Sequence, residues 1–426
     1  MEVATGRDVL QGHLYTGAAV GSRKPDQTRA RADRPYSTGA QISLPTIARE
    51  WGRIGCIGFG GPPAHISLLR RLCVDQRHWI AADEFEDGVA ATNLLPGPAS
   101  TQLAIFCAWR LRGAAGAIIG GLCFIVPGLV VILALATVFL ASHPPLWILG
   151  AASGAGAAVP AVAINAASGL APASWKRIGA KPGQRGRWLL YALIGGTAAA
   201  TIGPYLVLIL LACGAAEVFI RRALRPASTG TSTRRSVGVV LVGHAAALGG
   251  IGALAWVAFK VGALSYGGGF VIVPLMQHDV VTTYHWMTAS QFLSAVALGQ
   301  VTPGPVVQTV AVVGYAAAGV LGGLFAALVA FTPSFLFVLY GGPRFDLLRV
   351  SPVVQSFLTG ASPAVIGAIA GSAIPLGLAL THLWQIGVLA LVGIWLLALR
   401  KGVVTAIVGG AVIGVAAALV GAPVAQ

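Results

Sequence analysis

The sequence predicts an all-helical polytopic membrane protein built from two related halves. Three observations carry that prediction. Apolar residues make up 56% of the 426-residue chain and charged residues only 10%, with a mean hydropathy of +0.81. A soluble domain is about 25% charged, so this chain could not cover a water-facing surface. One pattern also occurs twice: Phe59–Gly60–Gly61–Pro62, His78–Trp79 and Pro96–Gly97–Pro98 return as Tyr266–Gly267–Gly268–Gly269, His285–Trp286 and Pro303–Gly304–Pro305, always 207 residues later. Across the 44 positions from 55 to 98, 14 are identical at that offset, which marks a duplicated unit. The third observation is that helix breakers sit inside these apolar repeats. Paired breaks of that kind form the central sites of two-fold repeated transporters.

A bilayer core needs about 20 apolar residues per helix. Residues 114–141, 146–170, 321–341, 352–375 and 403–420 meet that length, and 382–399 is a shorter candidate. Residues 188–219 exceed one span and carry Gly203–Pro204 near the middle, which predicts a hairpin of two short helices. Residues 237–259 supply a further span. Each repeat adds short pieces, 45–59, 84–95 and 99–109 in the first and 252–266, 291–301 and 306–316 in the second. Pieces of about 10–15 residues meeting at Pro–Gly–Pro predict broken or re-entrant helices, for a total of about 10–13 membrane segments. Non-helical backbone at that depth is tolerated only inside protein or beside a water-filled cavity.

The net charge of +15 is clustered in residues 1–41, 175–187 and 221–235. Short basic loops of this kind stay in the cytoplasm. The chain lacks the aromatic platforms and large polar face that nucleic-acid binding requires. The organisation expected is a disordered basic tail over 1–41, a first repeat over 42–222, a basic cytoplasmic linker over 223–236 and a second repeat over 237–426. The tail has no apolar core of a signal peptide. The five cysteines show no metal or redox spacing and read as small apolar residues. Charge also separates the halves. Arg70, Arg71 and Arg77 precede Trp79, and Arg110 and Arg112 follow the first Pro–Gly–Pro, whereas the matching stretches of the second half hold no Lys or Arg. By the positive-inside bias the repeats are inverted about the membrane plane.

Proline removes a backbone donor and clashes with the preceding turn. The helix after each Pro–Gly–Pro therefore starts with free N–H groups and a positive dipole end, which suit an oxyanion. Polar residues flank both motifs: Asn93, Ser100, Thr101 and Gln102 around Pro96, Gly97 and Pro98, and Gln300, Thr302, Gln308 and Thr309 around Pro303, Gly304 and Pro305. The glycine breaks at Gly60–Gly61 and Gly267–Gly268–Gly269 read either as anion nests of successive N–H groups or as close helix packing. Arg53 and Lys260 align at the same offset and read either as counter-charges for an anion or as snorkelling side chains. His65, Glu84 and Glu86 are the candidates for proton coupling, though acidic residues in a first helical turn also complement the helix dipole. Trp79 and Trp286 read as interface anchors. No nucleophile–base pair or metal cluster lies in the motifs, so the chain is not read as an enzyme and no cofactor is expected.

The stretch from Ile57 through Phe59–Gly60–Gly61–Pro62–Pro63–Ala64–His65–Ile66, with Asn93–Leu94–Leu95–Pro96–Gly97–Pro98–Ala99–Ser100, resembles the chromate ion transporter family. Ser265–Tyr266–Gly267–Gly268–Gly269 and Gln300–Val301–Thr302–Pro303–Gly304–Pro305–Val306 resemble its second domain, and the likeness runs over residues 46–420. It implies a two-domain inner-membrane protein that exports chromate using the proton gradient. Two positions depart from the family pattern: Gly58 stands where a serine is usual, and Tyr266 where a phenylalanine is. The loss of the Gly58 hydroxyl leaves sulfate or another tetrahedral oxyanion open as substrate. The partners expected are the oxyanion and membrane lipid, with a homodimer admitted and no nucleic acid. A membrane enzyme acting on lipid-linked substrates and a passive channel are the readings from other classes.

Overall fold

The computed structural model describes residues 42–93, 95–141, 144–178, 182–201, 205–223, 250–265, 271–341 and 351–424. The tail 1–41, the linker 223–236 beyond its first residue, most of the span 237–259 and the second glycine break (Tyr266–Gly269) lie outside them. Among the described residues there are fourteen α-helices and no strand.

The first half runs α1 (Leu44–Ile57), α2 (Pro62–Arg70, extended by a π turn Arg71–Gln76), α3 (Ala82–Thr92), α4 (Ala99–Phe139), α5 (Leu146–Arg177), α6 (Pro182–Thr201) and α7 (Leu206–Ala223). The second half repeats the order: α8 (Ile251–Leu264), α9 (Ile272–His278, extended by a π turn Asp279–Thr283), α10 (Ala289–Val301), α11 (Thr309–Gly341, preceded by a 3₁₀ turn Val306–Gln308), α12 (Pro352–Leu378), α13 (Leu383–Gly393, extended by a π turn Ile394–Ala398) and α14 (Val403–Leu419). The correspondence reaches single residues. His78 and His285 both take φ of 51°, in the left-handed region that histidine enters more readily than most residues. The next amide folds back in each copy, Trp79 N to Cys73 O at 2.8 Å and Trp286 N to Val280 O at 2.9 Å. Pro45 near the start of α1 and the Thr288–Gln291 capping box of α10 fix two of the helix starts.

Both long helices after Pro–Gly–Pro are hairpins. The backbone leaves the helical region at Arg112 (φ −148°, ψ 27°) and Gly113 (φ 58°, ψ −149°), and again at Ala318 (φ −153°, ψ 31°) and Gly319 (φ 65°, ψ −158°). That second conformation is open essentially only to glycine. The arms then fold together: a Cβ on Gly116 would stand 2.3 Å from Ala108 O, and one on Gly322 2.3 Å from Gly314 O. In a straight helix residues eight apart are separated by about 12 Å. A short arm therefore returns from each Pro–Gly–Pro against its own long arm, as the breaks predict.

The halves are interlocked. α12 packs on α6 and α7 of the first half, and α5 packs on α13 and α14 of the second. Glycines bring these helices into backbone contact, as small residues do in lipid, where hydrophobic exclusion cannot drive association. A Cβ on Gly367 would lie 1.8 Å from Ala192 O, and one on Gly414 2.0 Å from Gly150 O. Gly367→Leu should therefore overpack the α6–α12 contact by about 1–3 kcal/mol or more and collapse the yield of monodisperse protein in detergent. Gly377→Leu on the same helix meets nothing within 4 Å and should behave as the parent.

Among the described residues four helical stretches are long and apolar enough to cross a bilayer: Ala99–Phe139, Leu146–Arg177, Val306–Gly341 and Pro352–Leu378. Ile118, Leu122, Val126 and Val130 on α4, and Leu321, Leu324 and Leu328 on α11, point their side chains outward. Apolar faces of this extent are stable against lipid, not water.

Candidate functional site

The two Pro–Gly–Pro turns dock crosswise. Gly304 N donates to Gly58 O at 2.9 Å, so the second-half turn is held on the end of α1. The first-half turn lies against α8: a Cβ on Gly97 would stand 3.3 Å from Gly262 O. Both central glycines need positive φ, 117° at Gly97 and 93° at Gly304. The first glycine break joins the same place, since Gly60 and Gly61 have φ of 97° and 73° and Gly61 faces Val306.

His65 ties this junction together from α2. It is fully buried. Its Nε2 donates to Gly58 O at 2.9 Å, the same carbonyl that accepts from Gly304, and its Nδ1 lies 3.3 Å from Ser100 Oγ. Because Gly58 O only accepts, Nε2 carries the proton, and in the neutral ring Ser100 donates to Nδ1. Phe124 meets the ring edge-on at 5.1 Å between centroids. Gly58 makes this possible: a Cβ there would stand 2.8 Å from His65 Cδ2 and 2.7 Å from Ile54 O.

Gln102 and Gln308 occupy equivalent places after the two turns, although they are 206 and not 207 residues apart. The reason is the 3₁₀ turn Val306–Gln308. Three residues rising about 2.0 Å each cover the height of four α-helical residues at about 1.5 Å. The breaks at Gly113 and Gly319 keep the offset of 206. Gln102 Nε2 donates to Pro96 O and Gln308 Nε2 to Ile125 O, each at 2.7 Å. Their Oε1 atoms are buried without a hydrogen-bond partner among the described residues. The same holds for Thr101 Oγ1, Ser265 Oγ, Gln300 Nε2 and Ser334 Oγ. Buried polar groups normally find partners. Five of these six atoms lie within a few residues of a Pro–Gly–Pro or glycine break. Thr302 and Thr309 are satisfied locally, by Leu298 O at 2.9 Å and Val306 O at 2.8 Å. Asn93 and Pro96 are exposed, whereas Gly97, Pro98 and Ser100 are buried. Pro303, Gly304 and Pro305 are buried as well.

The aligned cations, read either as counter-charges or as snorkelling side chains, stand in different surroundings. Lys260 is buried and ion-paired with Asp279, with Leu275 O at 3.4 Å from Nζ and the Trp256 ring 6.0 Å away. Arg53 is 59% exposed and lies 3.8 Å from Glu50. The difference follows from one position, because Leu72 stands where Asp279 stands in the other half. Without that carboxylate Arg53 turns to the surface, near the buried Glu50, which also takes Arg77 at 3.2 Å. Glu84 and Glu86 are ion-paired with Arg110 and Arg70. These two of the four carboxylates of α3 are therefore engaged by arginines, beyond any complement to the helix dipole. Gly267, Gly268 and Gly269 lie outside the described residues.

Two interlocked repeats with broken helices and a buried polar junction define a polytopic membrane protein of the transporter type. The chain belongs to the chromate transporter family, whose model matches residues 45–218 and 252–415, once in each half. It is similar to a probable chromate transport protein of Synechococcus elongatus, 29% identical over 383 residues that cover 88% of this chain and 95% of the relative. A chromate transport protein of Cupriavidus metallidurans is 31% identical over 359 residues, 83% of this chain and 86% of its own. One from Pseudomonas aeruginosa is 29% identical over 353 residues, 79% and 81%. No solved structure matches the chain.

Proposed function

We propose that the protein is a secondary active transporter that exports chromate across the inner membrane, driven by protons moving inward, and that it confers chromate resistance. The observation that supports this reading most is the set of unpartnered donors beside the crossed Pro–Gly–Pro turns, Thr101 Oγ1, Ser265 Oγ and Gln300 Nε2, in a chain of this family. Chromate is a tetrahedral dianion whose oxygens only accept hydrogen bonds. The first amides of α4 and of the Val306–Gln308 turn have no acceptor within their helices. The Thr101 and Ser265 hydroxyls and Gln300 Nε2 add further donors. The amides of Gln102 and Gln308 are spent on Pro96 O and Ile125 O, and their free Oε1 atoms, being acceptors, do not bind the anion. Rocking of the two interlocked halves would open this junction alternately to each side. The charge asymmetry between matched loops supports halves inverted about the membrane plane, within the boundaries 42–222 and 237–426.

His65 is the proton carrier this reading favours. It alone among the candidates sits at the junction, whereas Glu84 and Glu86 are held by arginines. Protonation of Nδ1 would turn the ring into a donor on both sides and reverse its bond with Ser100. His65→Gln keeps a donor and an acceptor but does not titrate. It should abolish uptake driven by a pH gradient while chromate counterflow between equilibrated compartments persists.

The whole proposal is tested in inverted vesicles carrying the purified protein. Chromate uptake above that of empty vesicles, raised by an inward-acid interior, is expected. Absence of uptake with and without the gradient would sink it. Equal inhibition by chromate and sulfate would move the substrate to tetrahedral oxyanions in general, which the missing hydroxyl at Gly58 makes the second reading.

A further inference from the structure

Away from the junction, one buried carboxylate organises a basic pocket. Glu217 on α7 is almost fully buried. It accepts from Arg187 Nε at 2.9 Å and Nη2 at 3.2 Å, from Arg221 Nε at 2.7 Å and from Tyr191 Oη at 3.2 Å. Both guanidiniums are thereby fixed in place. Together with Arg222, Gln184, Gln355 and Ser356 they line a pocket between the start of α6, the end of α7 and the start of α12. Among the described residues, three arginines against one carboxylate leave an excess of positive charge for an occupant.

This pocket shares Val353 with a groove of opposite character. The groove runs between α7 and α12 over Leu210, Leu211, Phe357 and Leu358 and ends on Leu95 and Pro96 beside the first Pro–Gly–Pro. Every described residue lining it is apolar. An oxyanion gains nothing along such a path, because desolvating a charge without partners is costly. The basic pocket is therefore not the mouth of a route for the anion. A charged head beside an apolar channel at the end of membrane helices matches a different ligand. Basic pockets between membrane helices hold anionic lipid headgroups.

We propose that this composite site binds an anionic phospholipid, with the phosphate on Arg187, Arg221 and Arg222 and one acyl chain in the groove against Pro96. The site does not depend on which anion is transported. An acyl chain that touches Pro96 would also make the first turn's packing sensitive to lipid.

The test uses the full chain in detergent, with thermal stability and native mass spectrometry as readouts. Phosphatidylglycerol should raise the unfolding temperature and remain bound in the spectrometer, whereas phosphatidylcholine and inorganic phosphate should do neither. Arg222→Gln leaves the Glu217 cluster intact and should raise the phosphatidylglycerol concentration for half-maximal stabilisation about fivefold. Val353→Trp, which blocks the passage from pocket to groove, should abolish the lipid effect without lowering the lipid-free unfolding temperature. Equal stabilisation by inorganic phosphate would overturn the lipid in favour of a free anion. Equal effects of the two phospholipids, a lipid response unchanged in both variants, or a dimer without bound lipid would overturn it as well.

Discussion

Asp279→Ala is expected to destabilise the protein by about 3–5 kcal/mol, the cost of stranding one member of a buried ion pair. Lys260 is buried on α8, and besides Asp279 the described residues offer it the Leu275 carbonyl at 3.4 Å and the Trp256 face at 6.0 Å, a weak attraction. Lys260→Met should cost a similar amount by leaving the carboxylate unpaired. The double substitution Lys260→Met/Asp279→Leu removes both charges and fills the space with apolar side chains, and it should recover most of the loss. Leucine is the residue at the matching position 72 of the other half. Chemical or thermal unfolding of the four proteins in one detergent measures the cycle. Transport by the double variant answers a separate question. Uptake at the parental rate would mean that the pair is structural and that Lys260 does not serve as a counter-charge for the anion. A stable but inactive double variant would return that role to Lys260.

The two halves and their breaks were legible because helix breakers in an apolar repeat have few other meanings. Pro–Gly–Pro and Gly113 appear where the backbone departs from the helix, and the 207-residue offset aligns α1 with α8 and α3 with α10. Partner choice was not legible. Arg53 and Lys260 match in sequence, but the carboxylate that decides their fates lies on another helix, in a π turn that the periodicity of α9 does not announce. The pairing of Glu217 with Arg187 is hidden for the same reason, since 30 residues and a helix turn separate them. The equivalence of Gln102 and Gln308 was within reach. Pro127 and Pro333, like Gly113 and Gly319, stand 206 residues apart, which signals one residue fewer after the second Pro–Gly–Pro. What the linear sequence could not supply was the reason, a 3₁₀ turn that covers the same height with fewer residues.

Thr101→Val and Gln300→Leu should separate function from stability more sharply than any other substitutions. Both side chains are buried, and Thr101 Oγ1 and Gln300 Nε2 have no partner among the described residues. A buried polar group without a partner pays its desolvation with no return, about 1–3 kcal/mol. Replacing it by an apolar group of similar shape should leave the unfolding temperature unchanged or raise it. On the proposed function, such a group at this junction serves the transported anion. Chromate uptake should therefore fall by at least about tenfold in each variant, the effect of losing roughly 1.4 kcal/mol of binding, while stability holds. Thr309→Val is the matched control. Thr309 is just as buried, but its hydroxyl already bonds Val306 O at 2.8 Å. Its loss should lower stability by about 1 kcal/mol and leave uptake nearly intact. If Thr101→Val and Gln300→Leu instead lose stability and keep transport, these polar atoms have partners within the protein. The anion would then be held by the helix-start amides alone.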